Sequence, residues 1–348
     1  MVLTGGLDLH WIDGQDRDLF FDEAGVDVEQ RQRSDGKQFF AGLFLQGMYA
    51  PAPKWQLTLG GRLDVWDNYG GTQTLVPDVG APTTNVFADR ADAAFNPKLG
   101  VSYGATEWLQ LRAAAYRAFR APTLAELYRE SAVEGLTLLP NPSLGAEDLY
   151  GAEMGFDLPL TDGLDFRATG FWDDISNPIT NVDVAFDPVT GEATTRVRRN
   201  LGLARTVGCE AEGVYELLPG LTVSASYLFA DATLVRSSAD PDLEGNRLAQ
   251  IPRHAVTFGG RYRNPDLFTL AAEGRFVDDQ FEDEENLQRL TGYFLVNASL
   301  SRRLPFWNGE AFIAGENLAD HEYPVDRGGG ILNVGTPLTV FGGLRFRL

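Results

Sequence analysis

From Lys54 to Val65 the chain alternates without a break. Trp55, Leu57, Leu59, Gly61, Leu63 and Val65 fall on one phase, and Lys54, Gln56, Thr58, Gly60, Arg62 and Asp64 on the other. A period of two sends these sets to opposite faces of a β-strand. The pattern recurs in Leu164, Phe166, Ala168 and Trp172 against Asp165, Arg167, Thr169 and Asp173. It recurs in Leu221, Val223, Ala225, Tyr227 and Phe229 against Thr222, Ser224 and Ser226. Near the end, Leu338, Val340, Leu344, Phe346 and Leu348 oppose Thr339, Arg345 and Arg347.

Fourteen strands are expected, near 1–11, 37–50, 54–67, 94–104, 107–118, 145–160, 163–177, 195–217, 220–234, 252–264, 266–279, 289–303, 310–317 and 337–348. Turn residues mark the tight joints: Ala50-Pro51-Ala52-Pro53, Gly104-Ala105-Thr106, Thr161-Asp162-Gly163, Leu218-Pro219-Gly220, Asn264-Pro265-Asp266 and Pro305-Phe306-Trp307-Asn308. Longer joints near 12–36, 68–93, 119–144, 178–194, 235–251, 280–288 and 318–336 alternate with them. This rhythm predicts an all-β, antiparallel transmembrane β-barrel with short turns on the periplasmic side and long loops outside. Charge against lipid is costly, so the polar phase, with Arg62, Arg112, Arg167, Arg253, Arg261, Arg275, Arg345 and Arg347, is expected to face the lumen. The competing reading is a large soluble β-protein, whose long loops need not gather at one end. One short helix is expected at 122–128, with Pro122 in its first turn.

Composition sharpens this picture. The 348 residues are 44% hydrophobic and carry 38 glycines, and 11% are aromatic, as suits packed strands with interfacial girdles. Trp55, Trp66, Trp108, Trp172 and Trp307 are the expected girdle residues. No run reaches the roughly 18 apolar residues of a membrane helix, which alternating strands do not need. A net charge of -20 argues against a nucleic-acid partner. The single Cys209 excludes an intrachain disulfide and a thiolate metal cluster. No leader is read before the first alternation at Leu7-Asp8-Leu9-His10-Trp11.

Four further segments resemble one known family. The run Phe119-Arg120-Ala121-Pro122-Thr123-Leu124-Ala125-Glu126-Leu127-Tyr128, preceded by Phe95-Asn96-Pro97-Lys98-Leu99-Gly100, is similar to a signature of TonB-dependent outer-membrane receptors. So are Asn141-Pro142-Ser143-Leu144, the strand from Asn200 through Gly208 and Glu210 to Glu212, and Asn317-Leu318-Ala319-Asp320-His321-Glu322-Tyr323, in the family's order. The resemblance covers roughly 90–348 by motif and the first 90 residues by pattern.

What the resemblance implies is a receptor with a barrel of about 22 strands and an N-terminal plug. Such receptors take up scarce bulky nutrients, energised by the TonB complex through the plug. Nothing in these 348 residues matches the plug or the first eight or so strands. The chain is therefore expected to be one partial barrel domain, 1–348, the C-terminal portion of such a receptor. Its fourteen strands are expected to form an open curved sheet or a strained smaller barrel; ladder bonds between 1–11 and 337–348 would reject the open form.

Candidate chemistry is sparse. Arg120, Tyr128, Arg167, Phe281 and Tyr323 are the candidate ligand contacts. Pro122, Glu126, Asn141, Pro142, Gly208, Glu210, Asn317 and Leu318 are the structural residues that the motifs imply. Arg120 has two readings, ligand contact or partner of a neighbouring carboxylate. The acidic run Asp278–Asn286 reads as a solvated loop bridged by divalent ions to lipopolysaccharide, or as a calcium site. The first long loop is acidic too, at Asp13, Asp16, Asp18, Asp22, Glu23, Asp27 and Glu29. His10, His254 and His321 are too scattered to argue for haem. No serine or cysteine nucleophile with a base is evident, and no cofactor is assigned. Gly328-Gly329-Gly330 reads as a loop tip rather than a phosphate loop. The function expected is an outer-membrane receptor for a siderophore-iron, cobalamin or similar ligand, in contact with lipid and lipopolysaccharide. The alternative is a passive porin-like channel.

Overall fold

The computed structural model describes residues 1–21, 26–133, 135–161, 163–189, 193–237, 240–304, 308–328 and 331–346. The expected turn at Pro305-Phe306-Trp307, with the girdle residue Trp307, lies outside them. So do Asp22, Glu23, Asp162, Gly329, Gly330, Arg347 and Leu348.

The strands, in chain order, are β1 (Val2–Phe21), β2 (Val28–Ala52), β3 (Trp55–Pro77), β4 (Thr83–Val86), β5 (Arg90–Gly104), β6 (Gln110–Arg120), β7 (Ser131–Val133), β8 (Leu136–Leu139), β9 (Glu147–Thr161), β10 (Leu164–Ser176), β11 (Ile179–Phe186) and β12 (Ala193–Asn200). They continue with β13 (Leu203–Leu218), β14 (Leu221–Arg236), β15 (His254–Arg263), β16 (Thr269–Val277), β17 (Gln280–Phe281), β18 (Arg289–Leu290), β19 (Tyr293–Leu304), β20 (Gly309–Glu316), β21 (Pro324–Gly328), β22 (Ile331–Val334) and β23 (Thr339–Phe346). Among the described residues the one α-helix, α1, is Leu124–Tyr128.

Fourteen strands form the wall in the order β1-β2-β3-β5-β6-β9-β10-β13-β14-β15-β16-β19-β20-β23, each antiparallel to the next in sequence, with β4 added on β3. The path is open: among the described residues no ladder joins β1 to β23, so the open form of the expectation holds.

The register carries the predicted phases across the sheet. Leu7 faces Leu43, Leu43 faces Leu63, Leu63 faces Phe95, and Ala168 lies between Phe156 and Ala211. This apolar face is bare. Leu7, Leu9, Leu59, Met154 and Val340 are each exposed by 60% or more. Water would not leave such a belt uncovered, whereas hydrocarbon covers it without a protein partner. The opposite face carries Arg62, Asp64, Asn96, Lys98, Arg112, Arg167 and Glu210. Cys209, one residue on from Gly208, is exposed on the apolar side.

Among the described residues, buried apolar clusters form only at the long-loop end, where water replaces lipid. One holds Leu127, Tyr128 and Leu144, packed by Phe87, Leu124 and Ile179. The other holds Val182, Leu201, Ala204, Leu234 and Leu243.

Several boundaries depart from expectation. The loop expected at 12–36 is mostly strand, because β1 and β2 run on well past the belt. Beyond the membrane no face need be apolar, so alternating polarity fades while ladder bonds continue. The loop expected at 68–93 likewise contains the end of β3 and β4. The strand expected at 195–217 is two strands. Asn200 breaks it: its Nδ2 donates to Gly145 O (3.1 Å) and Asn177 O (2.9 Å), and its Oδ1 accepts from Gly145 N–H (2.8 Å). The strand expected at 289–303 breaks between β18 and β19. Trp66 is not a girdle residue: it is buried on the polar face, stacked between Phe40 (6.4 Å) and Phe119 (4.7 Å).

Candidate functional site

The long-loop end is organised by the segment that follows β6. Pro122 fixes the exit from the strand, and its carbonyl accepts from Gln38 Nε2 at 2.7 Å. Thr123 then caps α1. Its Oγ1 accepts from Glu126 N–H (3.2 Å), while Glu126 Oε2 accepts from Thr123 N–H (2.7 Å), a reciprocal capping box. A five-residue helix is too short to persist by propensity, so tertiary contacts must hold it.

Those contacts are specific. Tyr128 is 3% exposed. Its ring lies over Gly36 and Gly71, where an added Cβ would come within 2.6 and 2.5 Å of it, and Leu124 lies over Gly14. Three neighbouring strands thus offer bare backbone to one helical turn. Phe87 stacks on the outer side of Tyr128 at 5.2 Å.

Arg120 is the electrostatic centre. Its Nε and Nη2 donate to the two oxygens of Glu147 at 2.7 and 2.8 Å, and Nη1 donates to Glu126 at 3.0 Å. Glu147 Oε1 also accepts from Ile179 N–H (2.6 Å), which ties β11 to the same point. Burial opposes ionisation of Glu126, but the Thr123 N–H and the Arg120 guanidinium outweigh it and hold the carboxyl below its usual range. The second reading of Arg120, as partner of neighbouring carboxylates, matches this geometry.

The other motif residues are joints as well. Asn141 N–H donates to Glu126 O (3.0 Å), and its Nδ2 to Arg198 O (2.9 Å). Pro142 O accepts from Arg90 (3.1 Å). Gly208 leaves room for the Phe171 ring. Glu210 faces Thr169 across the β10–β13 ladder on the polar side. Asn317, 3% exposed and with φ of 49°, donates to His321 O (2.9 Å) and Thr336 O (3.0 Å), pinning the loop between β20 and β23. Leu318 N–H donates to Val296 O (2.8 Å), and its side chain fills the space above Gly315. Asp320 Oδ1 accepts from Leu338 N–H (3.0 Å), a turn contact rather than acid–base machinery.

The candidate ligand contacts are not brought together. Arg167 pairs with Asp157 (2.6 Å) on the polar face, toward the short turns. Phe281 lies half-buried beneath the Arg247 guanidinium, 5.5 Å from the ring centre. Tyr323 stacks on Tyr293 at 4.5 Å. The histidines stay apart: His254 stacks on Tyr227 and shares a 2.9 Å hydrogen bond with it, while His10 and His321 lie on other elements.

In the acidic run, Asp283 is 5% exposed and accepts from Leu287 N–H (3.0 Å) and Gln288 N–H (2.7 Å), so it builds the turn. Burial pushes Glu284 up to about 7, with the charge of Glu285 adding to it. The neighbouring cavity of about 240 Å³ has Arg196, Gln250, Glu282 and Glu285 in its lining. Among the described residues no group of three or more His, Cys, Asp or Glu is disposed to hold a metal ion, which leaves the calcium reading without a site.

Sequence reasoning missed a buried polar lattice beneath residues 121–130, the strap that follows β6. Gln38 donates to Asn68 (2.7 Å), Gln32 to Glu130 O (3.1 Å), and Gln73 to Gln32 (3.3 Å) and the Glu130 carboxylate (3.4 Å). Burial pushes the Glu130 carboxyl up. The run of even-numbered Gln30, Gln32, Ser34 and Gln38 was its signal.

With this geometry established, the relatives are informative. The profile of TonB dependent receptor-like β-barrels matches residues 3–318. An iron-regulated outer membrane virulence protein of Vibrio cholerae is 24% identical over 254 residues, 69% of this chain and 34% of its own length. A hemin receptor of Yersinia pestis is 30% identical over 168 residues, 43% of this chain and 22% of its own. Among solved structures, the ferric yersiniabactin uptake receptor FyuA of Yersinia pestis superposes with a TM-score of 0.76 at 14% identity, over 99% of this chain and 51% of that one. The copper transporter OprC superposes at 0.72 and 18% identity, over 99% of this chain and 54% of that one. At such identities the superpositions establish the fold. The chain thus spans about a third of these curated relatives or less, and about half of the solved receptors. The family and its structural neighbours are transport receptors rather than enzymes, and the wall belongs in the outer membrane. On the extent of the match, the bare apolar belt and the open antiparallel wall, this chain belongs to the TonB-dependent receptor-like β-barrel family.

Proposed function

We propose that this chain is the outer-membrane wall of a receptor that takes up a scarce, bulky iron chelate or a similar metal-bearing nutrient. The observation that carries the proposal is the barrel-family match over residues 3–318, joined to relatives named as iron-regulated and hemin receptors. The long loops face outward and the short turns face the periplasm. Arg120, Glu126, Glu147 and Tyr128 act as scaffold, holding the strap over the polar face. Ligand capture falls to aromatic surfaces at the mouth, Phe281 under Arg247 and Tyr323 on Tyr293. Arg167 belongs to the lumen that guides the ligand inward. The bare belt takes lipid, and the loop carboxylates meet lipopolysaccharide through divalent ions. Energy reaches the receptor from TonB in the full-length protein.

The test is growth. A strain lacking the full-length gene is starved of iron and supplied with single sources: haem, individual ferric siderophores or ferric citrate, with cobalamin and glycans as separate arms. Loss of growth on one source, restored by the gene and reduced in a Phe281→Ala/Tyr323→Ala variant that still reaches the outer membrane, supports the proposal. Equal growth of deletion and parent on every source would sink it. So would equally fast entry of unrelated small solutes through the purified protein in liposomes, the porin-like behaviour.

A further inference from the structure

Arginines on the polar face are answered by carboxylates along most of the wall. Arg62 meets Asp64 (2.7 Å), Arg112 meets Asp157 (3.5 Å), and Arg120 meets Glu147 (2.7 Å). Among the described residues, the short-turn ends of β15 and β19 break this habit, as does Arg275 midway along β16. Arg261 and Arg263 share a face of β15, opposite Ala271 and Thr269. Thr269 lies opposite Ser301 on β19, two residues before Arg303 on the same face. Arg303 in turn lies opposite Glu310, which lies opposite Arg345. These four arginines therefore share the polar side, and together with Arg302, which stands on the other phase of β19, they line one cleft of about 620 Å³.

Carboxylates are scarce in that cleft. Only Glu310 and Asp266 line it, and Glu310 reaches Arg345 alone, at 3.5 Å. Among the described residues, Arg261, Arg263 and Arg303 have no carboxylate within 4 Å, although the chain as a whole carries a net charge of -20. Four like charges gathered on one wall repel one another, and a clustered anion relieves that repulsion. The guanidinium fork suits carboxylate and phosphate oxygens in pairs, and the volume falls within the roughly 300–1,000 Å³ of small-ligand sites.

We propose that this cleft, at the short-turn end of the inner wall, is a binding site for a small polyanion that carries clustered carboxylate or phosphate groups. Arg261, Arg263 and Arg303 grip the anion, and Arg345, steadied over the Phe312 ring at 5.9 Å, closes one side. Ser301 and Thr269 supply neutral hydroxyl donors. The proposal does not rest on the uptake reading and stands or falls separately from the identity of the nutrient.

The test is calorimetric titration of the full-length protein, purified from the outer membrane in a nonionic detergent, with citrate and with inorganic pyrophosphate. Binding by either supports the site, and the stronger of the two assigns carboxylate or phosphate as the preferred group. Affinity is expected to fall severalfold between about 50 and about 300 mM salt, because the guanidiniums are exposed. The Arg261→Gln/Arg263→Gln/Arg303→Gln variant should lose about tenfold or more. The control Arg31→Gln/Arg33→Gln/Arg289→Gln, which removes the same charge at the other end, should stay within about twofold. Strand content by circular dichroism checks that both variants fold. Three results overturn the proposal: neither anion binds, the control loses as much as the cleft variant, or a poly-glutamate peptide binds while both small anions do not.

Discussion

The long-loop end and one stretch of the short-turn end, at β15 and β19, treat the same side chain in opposite ways, although Arg112 and Arg167 beside other short turns do pair with Asp157. At the long-loop end Arg120 is clamped by Glu126 and Glu147, and Arg129 by Asp16 (3.0 Å) and Asp18 (3.1 Å). At the short-turn ends of β15 and β19, Arg261, Arg263 and Arg303 stand exposed without such partners among the described residues. The difference follows from what each end must do to itself. The long loops have no lipid belt and must hold their shape through side-chain contacts, so their charges are spent internally. The short turn between β15 and β16 is held by ladder bonds and by the Asn264 side chain, which accepts from Asp266 N–H and Leu267 N–H, so the arginines beside it are not spent on internal pairing. A paired arginine reports on architecture, and an unpaired cluster of them reports on a partner.

Removing the strap's anchor should have the largest effect on this contrast. Tyr128→Ala empties a site closed by Gly36, Gly71 and Phe87, and is expected to destabilise the long-loop end by roughly 3–5 kcal/mol. Limited proteolysis should show cleavage around 122–145 while the belt strands stay protected; unchanged protection would dissolve the idea of a strap held from below. Glu147→Gln comes next. It keeps the shape but removes the charge facing Arg120, and a loss of about 1–3 kcal/mol is expected, reduced because Arg120 is partly exposed. Urea unfolding of the loop end, followed by hydrogen exchange at Ile179, would measure it. Arg263→Gln should be smallest, within about 0.5 kcal/mol of the parent, since it breaks no pairing. A large loss in the same unfolding assay would show that the cleft is structural and erase the distinction between the two ends.

The sequence made the wall legible because hydrocarbon imposes a strict rule on every second residue. Leu57, Leu59, Leu63 and Val65 had to share a face, and the register places them so. Where that rule lapses, legibility lapses too. Residues 12–36 read as loop because Gln15, Arg17, Gln30 and Gln32 alternate nothing apolar, yet backbone pairing carries β1 on to Phe21 and begins β2 at Val28. Trp66 read as a girdle residue by type, but its even position set it on the polar face among Phe40 and Phe119. The helix at α1 was legible, although Pro122, expected in its first turn, precedes the Thr123 cap and lies outside it; its seat was not legible. A seat made of Gly14, Gly36 and Gly71 depends on three strands lying side by side, which spacing along one chain does not reveal.

Alternation has a consequence before the wall exists. Each greasy residue is followed by a hydrophilic one, so the average along any stretch stays low, with a mean hydropathy of -0.17 for the whole chain. Among the described residues no helix is long and apolar enough to cross a bilayer. A polypeptide of this kind passes through a secretion channel without being arrested in the first membrane it meets. Its oiliness becomes visible only after neighbouring ribbons pair and sort their residues into two sides, which confines insertion to the destination membrane.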